Sequence, residues 1–205
     1  MNGNSRYVWT TTVMLVAMFV VLTAADLVTT LVALAGGQAV ELNPTAANDT
    51  GSIRIGFLIV ANILLVMPLT VAFALGINRA CQVPQPVLAH WWRHIVDIFF
   101  ISPLNEAARQ RRPLRLVTAA MTLLVLKVVI VASNTLVIFG LQNPTSLFAM
   151  MWTWVGLTGA ARYWAAYAML IVPCYIAGVG LAALLLRSAQ QRVAGVPPIT
   201  NAIAA

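Results

Sequence analysis

Four long apolar runs set the pattern of this chain: residues 7–35, 53–77, 116–140 and 163–186, each 24 to 29 residues long with few interruptions. Runs of 18 or more apolar residues are the mark of membrane-spanning helices, and at about 1.5 Å per residue each crosses a ~30 Å hydrocarbon core with some tilt. The predicted fold is all-α, a polytopic membrane protein of four transmembrane helices forming one membrane domain over residues 1–187.

The informative positions are the polar ones inside those runs. A charge in the bilayer core costs roughly 2.5–3.5 kcal/mol on insertion scales, so such a residue is expected to face the bundle interior and to have a partner. Asp26 stands in the first run, with Thr23 and Thr30 on the same helical face at i−3 and i+4. Lys127 and Asn134 share a face of the third run, and Asn62 is the strong polar residue of the second. Counted at the helical rise from the run ends, Asp26, Asn62 and Asn134 fall in one layer about 9–12 Å deep, with Lys127 below it at about 20 Å. Two readings stand. In the first, Asp26 and Lys127 form a buried ion pair, with Asn62 and Asn134 as interhelical hydrogen-bond glue. In the second, Asp26 is a titratable carboxylate that relays protons or binds a cation.

The segments between the runs carry their own signals. Residues 78–115 open with Pro84 and Pro86 and continue as PVLAHWWRHIVDIFF, which reads as an amphipathic helix lying in the interface plane. Residues 145–158 hold about a dozen apolar positions, short for a span and suited to an interfacial or re-entrant segment. Residues 188–205, with Pro197-Pro198, read as a flexible tail. Asn43-Pro44-Thr45 and Asn143-Pro144-Thr145 follow the first and third runs, an echo consistent with a duplicated helical hairpin.

Composition agrees with this pattern: the 205 residues are 61% hydrophobic and only 8% charged, which excludes an ordinary soluble domain. The net charge of +7 raises the question of nucleic acid, and its placement answers it. With the N-terminus inside, nine arginines fall on inner segments (Arg6, Arg79, Arg93, Arg109, Arg111, Arg112, Arg115, Arg187 and Arg192) and two on outer ones (Arg54 and Arg162). That is a positive-inside bias, predicting a cell-membrane protein with both termini cytoplasmic and no nucleic-acid partner. A cleaved signal peptide at Thr23-Ala24-Ala25 is not expected, because the apolar run continues about ten residues beyond it. Cys81 and Cys174 fall at different depths, and no disulfide is expected.

Candidate chemistry is sparse. His90, His94 and Asp97 sit at i, i+4 and i+7, a spacing that places two imidazoles and a carboxylate on one face of a helix for a metal such as zinc, copper or iron; the same positions read equally as the wet stripe of an interfacial helix. Arg109, Arg111, Arg112 and Arg115 form a basic cluster suited to anionic headgroups on the inner side, or simply to enforcing topology. Pro68 and Pro173 interrupt the backbone bonding of their helices, and Gly178, Gly180 and Ala182 make a small-residue face for close packing. There is no Walker A motif, dinucleotide glycine fingerprint or Gly-x-Ser-x-Gly, so no catalytic residues and no cofactor are expected.

The stretch from Asp26 through Thr29-Thr30 and Gly36-Gly37 to Glu41-Leu42-Asn43-Pro44 gives D-x-x-T-T, then Gly, then E-x-N-P. This pattern resembles an uncharacterised family of small prokaryotic integral-membrane proteins over about twenty residues. The resemblance implies a small multi-pass protein with Asp26, Glu41, Asn43 and Pro44 in signature positions, and it implies no activity. The family carries a lysine in the following helix, whereas here Lys127 comes one helix later. The leading expectation is a non-enzymatic accessory or scaffold subunit of a larger membrane complex, contacting other membrane proteins or self-associating. The alternatives are a small proton-coupled carrier using Asp26 and Lys127, and a metal-dependent membrane enzyme using His90, His94 and Asp97.

Overall fold

The computed structural model describes residues 3–36, 54–82 and 112–193. Among them the chain is all-helical, in the order α1 (Gly3–Ala35), α2 (Ile55–Ala80), α3 (Arg112–Ile138), α4 (Pro144–Trp154) and α5 (Gly159–Val193). Four of these, α1, α2, α3 and the Trp164–Arg192 part of α5, are long and apolar enough to cross a membrane. The inner segment expected to form an amphipathic helix lies outside the described residues.

Local chemistry explains where the helices begin and end. α3 starts at Arg112, four residues earlier than its apolar run, because Pro113 fits the first helical turn, where its missing N–H is not needed. α3 and α4 close in the same way. The Leu141 N–H bonds the Leu136 carbonyl and the Gly140 N–H bonds Val137, while Leu157 and Gly156 do the same to Trp152 and Thr153. Both glycines take positive φ, +69° and +86°, which a residue with a Cβ adopts at a cost. α5 runs on to Val193, six residues into the segment read from the sequence as tail, since nothing in Ser188-Ala189-Gln190-Gln191-Arg192 breaks a helix. α2 and α5 continue through Pro68 and Pro173.

α4 has 11 residues, about 16 Å at the helical rise, and is too short to span. Its start is fixed by Asn143, whose side-chain oxygen accepts from the Ser146 N–H at 2.7 Å, followed by Pro144 at the first helical position. Asn143→Ala is expected to cost about 1 kcal/mol locally. The check is amide hydrogen exchange, which should speed up in α4 and stay unchanged in α3.

The residues pack as two units, each drawing on the long helices. Of the described residues, the first comprises 3–15, 69–82, 112–122 and 175–193. Its core joins Phe73 and Ile77 of α2 with Leu114 and Val117 of α3 and Val179 and Leu186 of α5, all fully buried. Gly76 permits a close approach of α2 to α3: a Cβ there would lie 2.7 Å from Val117 Cγ2 and 3.0 Å from the Pro113 carbonyl oxygen. Gly178 does the same for α5 against Thr122 of α3. At the chain ends the Arg192 guanidinium sits 5.0 Å from the centre of the Tyr7 ring, a cation–π contact. A cleft of about 540 Å³ opens between the start of α1 and the end of α2, lined by Asn4, Ser5, Trp9, Asn78 and Gln82 among others. Cys81, one residue past the span, lines the same cleft as a free thiol that burial pushes above its ordinary range.

Of the described residues, the second unit comprises 16–36, 54–68 and 123–174. Phe19, Ala33, Leu124, Ala149, Ala166, Leu170 and the free Cys174 are its buried apolar residues. Its most polar feature is the ion pair described next.

Candidate functional site

Within the second unit, α1 and α3 each present one charged residue. The Lys127 Nζ donates to Asp26 Oδ2 at 2.7 Å, the ion pair the sequence pattern raised as one of its two readings. The lysine side chain is 9% exposed and the carboxylate 21%, so the cation is the more deeply buried partner. Such a pair is held against its desolvation cost only when further hydrogen bonds satisfy the remaining lone pairs.

Asn134 supplies them. Its Nδ2 donates to Asp26 Oδ1 at 3.2 Å and to Thr30 Oγ1 at 2.9 Å, with Thr29 Oγ1 a weaker third acceptor at 3.4 Å. An amide NH₂ has two protons, so the shortest two contacts carry the bonding. The spacing explains the geometry: Lys127 and Asn134 are seven residues apart on α3, and Asp26, Thr29 and Thr30 lie within about one turn of α1. The Thr29 hydroxyl in turn donates to the Ala25 carbonyl at 2.8 Å. Both carboxylate oxygens, the ammonium and the amide are thus engaged in one neutral cluster.

Thr29 is a member that the face argument from Asp26 left out. Its signal was present in the D-x-x-T-T motif, where i+3 is as close to Asp26 as i+4. Thr23 is part-buried one turn before Asp26. Asn62 departs from the interhelical role expected of it: its Nδ2 donates to the Leu58 carbonyl of its own helix at 2.8 Å. A side-chain amide one turn above a helical carbonyl satisfies itself locally, and depth in the membrane does not decide which partner it takes.

The remaining sequence candidates divide simply. Glu41, Asn43 and Pro44, the His90, His94 and Asp97 triplet, and Arg109 and Arg111 lie outside the described residues. Among the described residues no group of three His, Cys, Asp or Glu side chains is placed to hold a metal. Arg112 is exposed in the first turn of α3, and Arg115 is part-buried one turn later.

A second set of polar side chains, Arg115 apart, went unremarked in the sequence. In the first unit Thr70, Thr118, Thr122 and Tyr175 bury hydroxyls, and Arg115 buries its Nε, without a hydrogen-bond partner. Arg115, Thr118 and Thr122 stand at i, i+3 and i+7 of α3, a one-face spacing that was legible beforehand. No family model, curated protein or solved structure matches the chain.

Proposed function

We propose that this chain is a non-enzymatic integral membrane protein, an accessory or scaffold subunit of a larger membrane complex. The observation that carries the reading is the closed cluster of Asp26, Lys127, Asn134, Thr29 and Thr30, in which each charged group has a protein partner. A cluster of that kind fixes the register of two helices against each other, as a rigid scaffold requires. Burial supports the role: only 11% and 6% of the apolar windows of α1 and α2 are buried, against 39% for the other two spans. α1 and α2 therefore offer long apolar faces to lipid or to neighbouring helices. The arginine distribution supports cytoplasmic termini in the cell membrane, with anionic headgroups on the inner side.

The test is purification from native membranes in mild detergent, with a photo-crosslinking residue replacing Leu64 of α2, which is 67% exposed. A stoichiometric membrane partner cross-linked through that position is the expected result. Recovery of the lone chain or a homo-oligomer would overturn the accessory role.

The second reading is a small proton-coupled carrier, favoured by the residual 21% exposure of the Asp26 carboxylate beside a cation. Proteoliposomes carrying a pH-sensitive dye decide it. A carrier loses its proton flux on Asp26→Asn while keeping its fold, and unchanged flux dismisses this reading.

A further inference from the structure

The cleft of the first unit is built from two facing helix ends. α1 contributes Asn4, Ser5, Val8, Trp9 and Thr12, at i, i+1, i+4, i+5 and i+8. α2 contributes Ala74, Asn78, Cys81 and Gln82, at i, i+4, i+7 and i+8. Each set is one face of its helix and covers about 12 Å of rise. The volume, about 540 Å³, falls within the range of small-molecule sites, roughly 300–1,000 Å³.

The lining changes character along that rise. Asn4 and Ser5 stand in the first turn of α1, and Asn78 and Gln82 in the last turn of α2 and just beyond it. Val8, Ala74 and Thr12 lie one to two turns deeper, and the Thr12 hydroxyl is committed to the Val8 carbonyl at 2.7 Å. The inner level is therefore nearly all hydrocarbon. Trp9, 65% exposed, stands between the two levels, where an amphipathic ring suits the membrane boundary. Polar at the rim and apolar below is the profile of a lipid.

The rim is also uncharged. Arg6 and Arg79 follow Ser5 and Asn78 in sequence, but they are exposed residues off the cleft wall. Amides and hydroxyls each donate and accept. Gln82 Nε2 donates to Asn78 Oδ1 at 3.5 Å, a long contact that uses one donor and one acceptor of that pair. An ionised phosphate only accepts, which leaves the rim oxygens unmatched. A headgroup bearing hydroxyls donates and accepts as the rim does.

We infer that this cleft binds one uncharged lipid through a hydroxyl-bearing headgroup, its acyl chains passing Val8 and Ala74 into the apolar layer. The hydroxyls are those of a sugar or of the glycerol itself. The site lies wholly within the first unit, and it is independent of the Asp26–Lys127 cluster and of the accessory role proposed above.

The experiment uses the full chain in lauryldimethylamine oxide, whose head bears no hydroxyl, with native mass spectrometry and thermal shift. Monoglucosyldiacylglycerol, diacylglycerol, phosphatidylcholine and phosphatidic acid of matched acyl chains are supplied in turn. The expected result is one uncharged lipid per chain, retained at least tenfold better than either phospholipid, with a saturable rise in Tm. Retention of the glucosyl lipid alone identifies the sugar as the bound group, and retention of diacylglycerol identifies the glycerol hydroxyl.

Asn78→Ala combined with Gln82→Ala removes the α2 side of the rim at two exposed positions. The Tm of the ligand-free protein should stay unchanged while retention falls at least tenfold. Ala74→Leu, which fills the inner level, should lower retention as far; the double variant decides the matter if Ala74→Leu disturbs the fold. Arg6→Gln and Arg79→Gln should each change retention less than twofold. The proposal is overturned if no lipid is retained, or if either phospholipid is held as well as the uncharged lipids. It is also overturned if the double variant keeps its lipid, or if Arg6→Gln or Arg79→Gln weakens retention as much.

Discussion

Lys127→Met is expected to destabilise the protein by about 3–5 kcal/mol, the scale on which breaking one partner of a buried ion pair acts. The methionine keeps the length and apolar stem of the lysine, so little packing is lost. What remains is a carboxylate whose Oδ2 has lost its 2.7 Å partner and whose Oδ1 retains a single 3.2 Å bond from Asn134. An uncompensated charge in the apolar layer costs far more than the missing hydrogen bond, because interhelical hydrogen bonds in membrane proteins average only about 0.6 kcal/mol. The sharper expectation concerns the double variant. Asp26→Asn with Lys127→Met replaces two charges by neutral groups of similar shape, and should recover most of the loss, leaving a deficit of about 1 kcal/mol. Reversible unfolding in mixed micelles measures all three proteins. If the double variant is as damaged as Lys127→Met, the pair does not account for the stability of this layer. Asn134→Ala should fall between the two, since it releases Asp26 Oδ1 and the Thr30 hydroxyl together.

The pair was legible in the sequence because charge is expensive in an apolar helix, so two charges in different runs call for each other. The four spans were legible for the related reason that apolar length has few other uses. Side-chain amides and hydroxyls are less demanding, and there the sequence left more open. Asn62 lies in the expected layer yet bonds to Leu58 of its own helix, a choice worth too little free energy for position alone to decide. Thr29 and Thr30 differ by one residue, and only the placement of Asn134 shows that both come within its reach. The end of α5 was misplaced because hydropathy falls at Arg187, whereas helix propensity persists through Val193. Hydropathy marks where a helix leaves the apolar layer, and capping and breaking residues mark where it ends. The orphaned hydroxyls of Thr118, Thr122 and Tyr175 were hidden for another reason: nothing in a sequence distinguishes a threonine that bonds back to its own helix from one that does not.

Gly178→Ala is expected to be the second most damaging substitution, and the reason lies in backbone geometry. A Cβ at that position would lie 2.8 Å from both Cα and N of Thr122, besides meeting its hydroxyl. A flexible side-chain tip can move aside, whereas a backbone amide within α3 cannot move without the helix. The methyl therefore forces α5 away from α3, loosening contacts made by the fully buried Val179 and Ala182 nearby. Overpacking of this kind costs about 1–3 kcal/mol, and Gly178→Val, with two more carbons, should exceed it. The helix-propensity gain of alanine over glycine, up to about 1 kcal/mol, works in the opposite direction. Gly56 isolates that gain: its Cβ position meets nothing within 4 Å, so Gly56→Ala should be neutral or slightly stabilising in the same unfolding assay. Thr122→Ala separates the two possible obstacles. It removes the hydroxyl and leaves the backbone atoms at 2.8 Å, so it should fail to rescue Gly178→Ala. Rescue by Thr122→Ala would mean that the hydroxyl, rather than the α3 backbone, sets the approach of the two helices.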